Sequence, residues 1–479
     1  GATVLVEAFV VGVFQDGGLC VNGDYIGFYL QEEDSDSDED ATTSEGIIVF
    51  DGFEQPLDIE IGDKVQVQGT ATEFFGETQI NATNITVLEK GVTLPTPGTI
   101  EFPVAQTITN SDGQLIADLE AYEGMLVTVP QTLTVGDLFT YGRFGEIGLS
   151  ANGRVAAYTS ENAPSVDGFA DYLDEQVRST VVLDDGSTAQ NPPVLPFPDG
   201  DFDALDDLTS GDTVTDLTGV VRFSRNSGSS GDENYRINAV DDVVFENTNP
   251  REDTPPDVGG RLKVATFNVL NYFTSLGDAG LAAGPNNLGV RGADNEEEFA
   301  RQSEKLISAL AALDADVIGL VELENEYTDA NGDGQVAIET LVNLLNDAKP
   351  DANYTFVDPG ETYGGDDAIM VGLIYDQNTV DIAAGSTVEI LDDTDLSGLG
   401  LDFGNPVFNG SGTSRAPITA TFEELATGET FNVTVNHFKS KGSVSPFGNN
   451  QGIGDGTGNS YEARAQAAKA LETWLATDP

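Results

Sequence analysis

The stretch ADVIGLVELEN (315–325) decides how the second half of the chain is read. Its apolar run VIGLV is not interrupted by polar residues, which suits a strand covered on both faces, as in layered α/β domains. The run closes on Glu322, and a carboxylate there is costly to bury unless a hard divalent cation or an arginine faces it. Working outward, the pattern predicts strands at 262–268, 316–322, 368–375 and 430–436. Helices are predicted between and after them at about 295–313, 336–348 and 461–476. The first of these helices carries Phe299, Leu306, Ile307, Leu310 and Leu313, a one-sided apolar stripe.

Several polar residues stand at the ends of these strands. His437, in FNVTVNHFKSKG (431–442), is the only histidine of 479 residues. Imidazole is the side chain best suited to proton transfer near neutral pH, so that chemistry has one location here. Asn268 ends the apolar strand of RLKVATFNVLNYF (261–273), where an asparagine commonly just closes a turn. Arg415, in SRAPITATF (414–422), can grip a phosphate with its planar fork or pair with one of many nearby acids. Asp367, in GGDDAIMVGLIYD (364–376), precedes another apolar strand. Lys439 and Lys441 bring local positive charge or simply solvate a loop. DANGDG (329–334) has the spacing of a calcium loop through Asp329, Asn331 and Asp333. Its twelfth position is Thr340, with Glu339 one place early, so a Ca²⁺ ligand set and an ordinary turn both remain open.

The order Asn268, Glu322, Arg415, His437, with those flanks, resembles the catalytic domain of the endonuclease/exonuclease/phosphatase superfamily, the fold of deoxyribonuclease I. The resemblance implies an α/β four-layer β-sandwich and hydrolysis of phosphodiester bonds in DNA, with RNA as a second substrate. It implies Mg²⁺ or Mn²⁺ held by Glu322 with help from Asn268. Arg415 and His437 would stabilise the transition state, Asp367 would assist, and Lys439 and Lys441 would flank the substrate phosphate with Arg415. The family completes its site with two later motifs, an Asp-x-Asn at a strand end and an Asp-His near the C-terminus, and neither follows His437 in this sequence. The expectation is therefore an incomplete catalytic domain that does not turn over substrate as this fragment. Two other readings stand beside it: a phosphatase or phospholipid phosphodiesterase of the same fold, and a non-catalytic cell-surface or self-assembling protein with a degenerate nuclease domain.

Residues 1–247 read as nearly all β, with short strands separated by Gly, Asp and Asn turns. GFYLQEEDSDSDEDATTSEGIIVFDG (27–52) and KVQVQGTATEFFGETQI (64–80) resemble the OB-like module that precedes the catalytic domain in a group of secreted nucleases. LEAYEGMLVTVPQTL (119–133) and YGRFGEIGLSANGR (141–154) resemble the region that follows it. The expected organisation is an OB-like domain at 1–99, a second β-rich domain at 100–247, a Pro- and Gly-rich linker at 248–260 and the catalytic domain at 261–479. Phe9, Phe14, Phe74 and Phe75 either stack on single-stranded bases or fill the core of the barrel.

Composition adds the medium. The chain has 82 acidic and 20 basic residues, a formal net charge of -62, spread along its whole length. Such self-repulsion strains a compact state in dilute buffer and is screened at molar salt, which points to a hypersaline medium. The lone Cys20 excludes an intrachain disulfide, and no apolar run is long enough to span a membrane. Five Asn-x-Ser/Thr sequons, at Asn81, Asn84, Asn353, Asn409 and Asn432, fit an extracellular or cell-surface protein.

Overall fold

The computed structural model describes residues 1–14, 27–38, 40, 42–50, 58–187, 190–192, 194–197, 208–225, 233–252, 254–332 and 334–479. Cys20 and Asp333 lie outside the described residues. The chain divides into two compact units, Gly1–Arg251 and Glu252–Pro479. No helix among the described residues is long and apolar enough to cross a membrane.

In the first unit, β1 (Thr3–Phe14), β2 (Gly27–Gln31), β3 (Gly46–Phe50), β4 (Lys64–Phe74) and β5 (Glu77–Glu89) close into a barrel, in the order β1-β2-β3-β5-β4. The alternation in KVQVQ explains the closure: Val65 and Val67 are fully buried inside, while the polar residues between them turn outward. The acidic segment between β2 and β3 folds on itself, the backbone N–H of Asp40 donating to Asp38 and the Ser37 hydroxyl to Glu45. A nine-stranded sheet follows, with Leu126–Val129, Leu217–Arg225, Glu233–Ala239, Thr180–Asp184, Ile147–Ser150 and Leu133–Asp137 as consecutive neighbours. Val11, Tyr29 and Ile48 of the barrel share a buried cluster with Leu126 and Val220 of the sheet. Beside it Arg236, 1% exposed, bridges Glu146 (2.9 Å) and Asp184 (2.5 Å).

The first unit is less purely β than its sequence suggests. Helix α1 (Val166–Ser179) opens on Ser165, whose hydroxyl accepts the N–H of Gly168. Its apolar residues, among them Phe169, Leu173 and Val177, are partly buried or exposed, and its amphipathic stripe is easily overlooked among the strand signals around it.

The second unit is layered. β6 (Val264–Tyr272), β7 (Val317–Glu324), β8 (Tyr354–Phe356) and β9 (Ile369–Asp376) form a sheet in the order β6-β7-β9-β8. In the second sheet β12 (Arg415–Glu424) pairs with β10 (Val380–Ile382), β11 (Glu389–Ile390) and β13 (Thr430–His437). The sheets pack face to face: a Cβ on Gly319 of β7 would stand 2.7 Å from Val435 of β13, and the rings of Tyr375 and Phe422 lie 5.3 Å apart. Glycine at 319 lets the two backbones approach.

Helices α2 (Glu296–Leu313) and α3 (Ala337–Ala348) cover the outer face of the first sheet, with Leu306, Leu310, Leu341 and Leu345 buried in one core with both sheets. Helix α4 (Tyr461–Leu475) covers the second through Ala467, Ala470 and Trp474. The layers are thus helix, sheet, sheet, helix. Asn295 starts α2 by accepting the N–H of Glu298, and three glutamates occupy its first turn, where the helix dipole favours negative charge.

Candidate active site

Strand direction brings the polar strand ends together. β6 and β7 run parallel, so Asn268 and Glu322 sit toward the same end of the sheet. β9 runs antiparallel to β7, so Asp367, just before it, returns to that end. In the second sheet Arg415 and His437 are direct register partners at the start of β12 and the end of β13. Packing the two sheets closes the constellation: Nε2 of His437 lies 3.9 Å from Oε1 of Glu322, and Nη2 of Arg415 lies 3.3 Å from Oδ2 of Asp367.

Each strand leaves its regular ladder at these residues. Glu322 has φ +68° and lies at a register shift between β7 and β9. A second shift follows Asn268, where Leu270 and Asn271 have φ +54° and +52°. A third follows the Arg415–His437 pair. Bulges re-aim side chains that a regular ladder would send into the core, at a local cost in backbone strain.

The electrostatics follow from burial. His437 is held below its usual pKa, first by burial and then by Arg415, with Glu322 and Asp367 opposing. Its imidazole is therefore neutral around pH 7, and its Nδ1 is buried with no hydrogen-bond partner. Burial also lowers the Arg415 pKa; Asp367 is the strongest opposing influence, and Arg291 adds to the lowering. Nε of Arg415 is likewise buried without a partner.

The remaining predicted residues have surroundings of their own. Asn268 is exposed, and its side-chain oxygen accepts the N–H of Leu270 (2.8 Å), the turn-closing role its type suggests. Lys439 is 7% exposed and donates to the hydroxyls of Ser440 and Ser443. Its pKa is lowered by burial and then by Arg415 and Arg464. Lys441 is exposed. In the acidic loop, Asp329 accepts the N–H groups of Gly332 and Gly334, and Asn331 donates to Ser275, Glu324 and Glu326. Glu339 is exposed in the first turn of α3. Among the described residues no group of three His, Cys, Asp or Glu is arranged to hold a metal ion.

Three contributors escape the sequence reading. Arg291 pairs with Asp367 at 3.0 Å. Asn325, fully buried, donates to the carbonyls of Gly365 and Asp367 and accepts the N–H of Gly364, which fixes the loop before β9. Glu324, 1% exposed, accepts the N–H groups of Thr274 and Ser275. The LEN that follows Glu322 was the available signal for the last two; nothing near Arg291 in sequence announces its partner.

A divalent cation can be tested against this donor set. Glu322 is about one-fifth exposed, accepts no hydrogen bond from the described residues and has the neutral imidazole of His437 at 3.9 Å, with the Arg415 charge also acting on it. One such carboxylate fits Mg²⁺ or Mn²⁺, which keep several waters and take their other ligands from substrate phosphate.

No family model matches the chain, and no curated protein matches it. Among solved structures, the chain is similar to an endonuclease/exonuclease/phosphatase family protein from Bacteroides thetaiotaomicron, at 15% identity and a TM-score of 0.26, covering 45% of this chain and 57% of that one. It is also similar to the human Nocturnin catalytic domain with bound sulfate anion, at 15% identity and a TM-score of 0.21, covering 37% of this chain and 50% of that one. The chain thus spans between half and three-fifths of the length of either.

Proposed function

We propose that Glu252–Pro479 is a phosphodiester-binding and hydrolysing domain of the endonuclease/exonuclease/phosphatase type, acting on DNA in a saline extracellular medium. The observation that carries this reading is the convergence of Glu322, Asp367, Arg415 and His437, from two sheets, on one end of the sandwich. Arg415 presents a buried, unused Nε donor to an anionic oxygen, and such charge-assisted bonds are about twice as strong as neutral ones. His437, neutral and partly buried, donates a hydrogen bond to the phosphorane or relays a proton to the leaving oxygen. Glu322, with Asn268 nearby on the parallel strand, would hold a divalent cation, whose contribution is Lewis-acid stabilisation of phosphoryl charge.

The order of the five barrel strands supports reading the N-terminal barrel as OB-like. Phe74 and Phe75 at the tip of its β4–β5 hairpin are 56% and 65% exposed, free to stack on bases, whereas Phe14 packs on Tyr29 and Phe9 lies under Lys64.

The test is titration of a DNA dinucleotide in molar KCl with and without Mg²⁺, with plasmid nicking followed in parallel. Mg²⁺-dependent binding that is lost in Glu322→Ala and weakened in His437→Ala supports the reading. Neither binding nor nicking with any divalent ion would sink it in favour of the non-catalytic structural role.

A further inference from the structure

We propose that Arg291 is a second phosphate-gripping residue, paired with Arg415 into a two-arginine clamp that Asp367 positions. The inference rests on the phosphodiester reading above and adds to it a residue and a division of labour.

The geometry is that of a shared carboxylate. Oδ1 of Asp367 takes Nη2 of Arg291 at 3.0 Å, and Oδ2 takes Nη2 of Arg415 at 3.3 Å. Two guanidinium groups are thereby held side by side although they repel each other. Glu322 also acts on Arg415, but Lys439 adds a cation to the same cluster, so three positive charges (Arg291, Arg415, Lys439) face two negative ones (Asp367, Glu322) and leave it net cationic, in a chain whose net charge is -62. A structural ion pair would need only one arginine. The second, together with the buried unused Nε of Arg415, is an arrangement still short of one anion.

Separate pieces of chain hold the trio. Asn325 anchors the backbone of Asp367 from the end of β7. The hairpin Ala282–Ala283/Leu288–Gly289 docks on the same loop: Asn286 donates to the Asp366 carbonyl, and a Cβ on Gly284 would stand 2.5 Å from the Asp367 carbonyl oxygen. Immediately after Arg291, a Cβ on Gly292 would meet the Asn271 carbonyl and Phe273 Cβ, each at 2.8 Å. The segment that carries Arg291 is therefore packed on the bulged end of β6, while the Arg291 side chain remains 39% exposed.

The experiment is calorimetric titration of inorganic phosphate into the whole chain in molar KCl, comparing wild type with Arg291→Ala, Arg291→Lys, Asp367→Asn and the Arg291→Ala/Asp367→Asn double variant. Unfolding midpoints measured alongside check that each variant is folded. Arg291→Ala should weaken phosphate binding by about tenfold or more, and Arg291→Lys should restore only part of it because an ammonium lacks the planar fork. Asp367→Asn separates positioning from bulk electrostatics. Removing a negative charge should tighten phosphate binding if Asp367 merely neutralises the arginines. It should weaken binding if Asp367 aligns them, and the double variant should then be no worse than the worse single one. Wild-type affinity in Arg291→Ala or Arg291→Lys, or tighter binding in Asp367→Asn, overturns the clamp and leaves the phosphodiester reading intact. Absence of phosphate binding by the wild-type chain overturns both.

Discussion

Glu123 is 8% exposed; its Oε1 accepts the N–H of Thr78 at 3.0 Å, and its Oε2 is buried without a partner. Burial pushes its pKa from 4.5 up to about 8, and Glu77, Glu120 and Glu73 push in the same direction. A carboxyl that keeps its proton in the fold but loses it when unfolded makes the folded state bind more protons between those two values. Stability contributed at low pH is therefore lost as pH rises from 4.5 to about 8. Glu123→Gln keeps an acceptor for Thr78 and removes the charge. It should flatten this dependence and raise stability above pH 8, by on the order of a few kcal/mol at roughly 1.4 kcal/mol per pKa unit. Urea midpoints of both forms from pH 5 to about 9 would check it, and parallel curves would show that the carboxyl ionises at little cost. The same physics acts at His437, where burial keeps the imidazole neutral at physiological pH, with one donor and one acceptor nitrogen.

Elements turn such residues into a site, and the ladder irregularities do most of the aiming. The apolar strands and the stripe of Phe299, Leu306, Ile307, Leu310 and Leu313 were legible because burial imposes a period that shows in sequence; Leu306 and Leu310 are buried and the other three pack against them. The strand-end residues Glu322, Arg415 and His437 were legible as individual groups. Their partners were not. The Arg291–Asp367 bridge joins a loop and a strand end far apart in sequence, and only the docking of the 282–289 hairpin creates it. Helix α1 was missed for the opposite reason: it is amphipathic and capped by Ser165, but its many charged residues leave it little buried, Ser179 alone being fully so, in a stretch read as strands. Gly292 tests how tightly the element controls the residue. An alanine there would press on Asn271 and Phe273, at about 1–3 kcal/mol for overpacking of this kind, and would displace Arg291. Gly292→Ala should therefore lower the unfolding midpoint and weaken phosphate binding together. A stable variant with full phosphate binding would mean that the segment yields without moving the guanidinium.

At the scale of the whole molecule, charge is the governing quantity. With 82 acidic and 20 basic residues, most surface carboxylates have no cation of the chain to pair with, so the folded state confines a repulsion that unfolding relieves. The buried ion pairs are another matter: Arg236 between Glu146 and Asp184, both 2% exposed, is little screened by salt. Added salt should therefore act on the surface alone, shortening the screening length from about 10 Å at 0.1 M to about 3 Å at 1 M. The unfolding midpoint should rise steeply over that interval and more gently beyond it, when KCl is varied at fixed pH. A midpoint that stays flat or falls would remove the argument for a saline habitat. The arginine pair carries the corollary. Nucleic-acid binding at an exposed basic surface weakens steeply with salt through counterion release. Arg415 and Asp367 have side chains only 13% exposed, against 39% for Arg291, so phosphate affinity at the clamp should decline less between 0.1 and about 2 M KCl than at a fully exposed site. Affinity that collapses with salt would place the bound phosphate on exposed cations such as Lys441 instead.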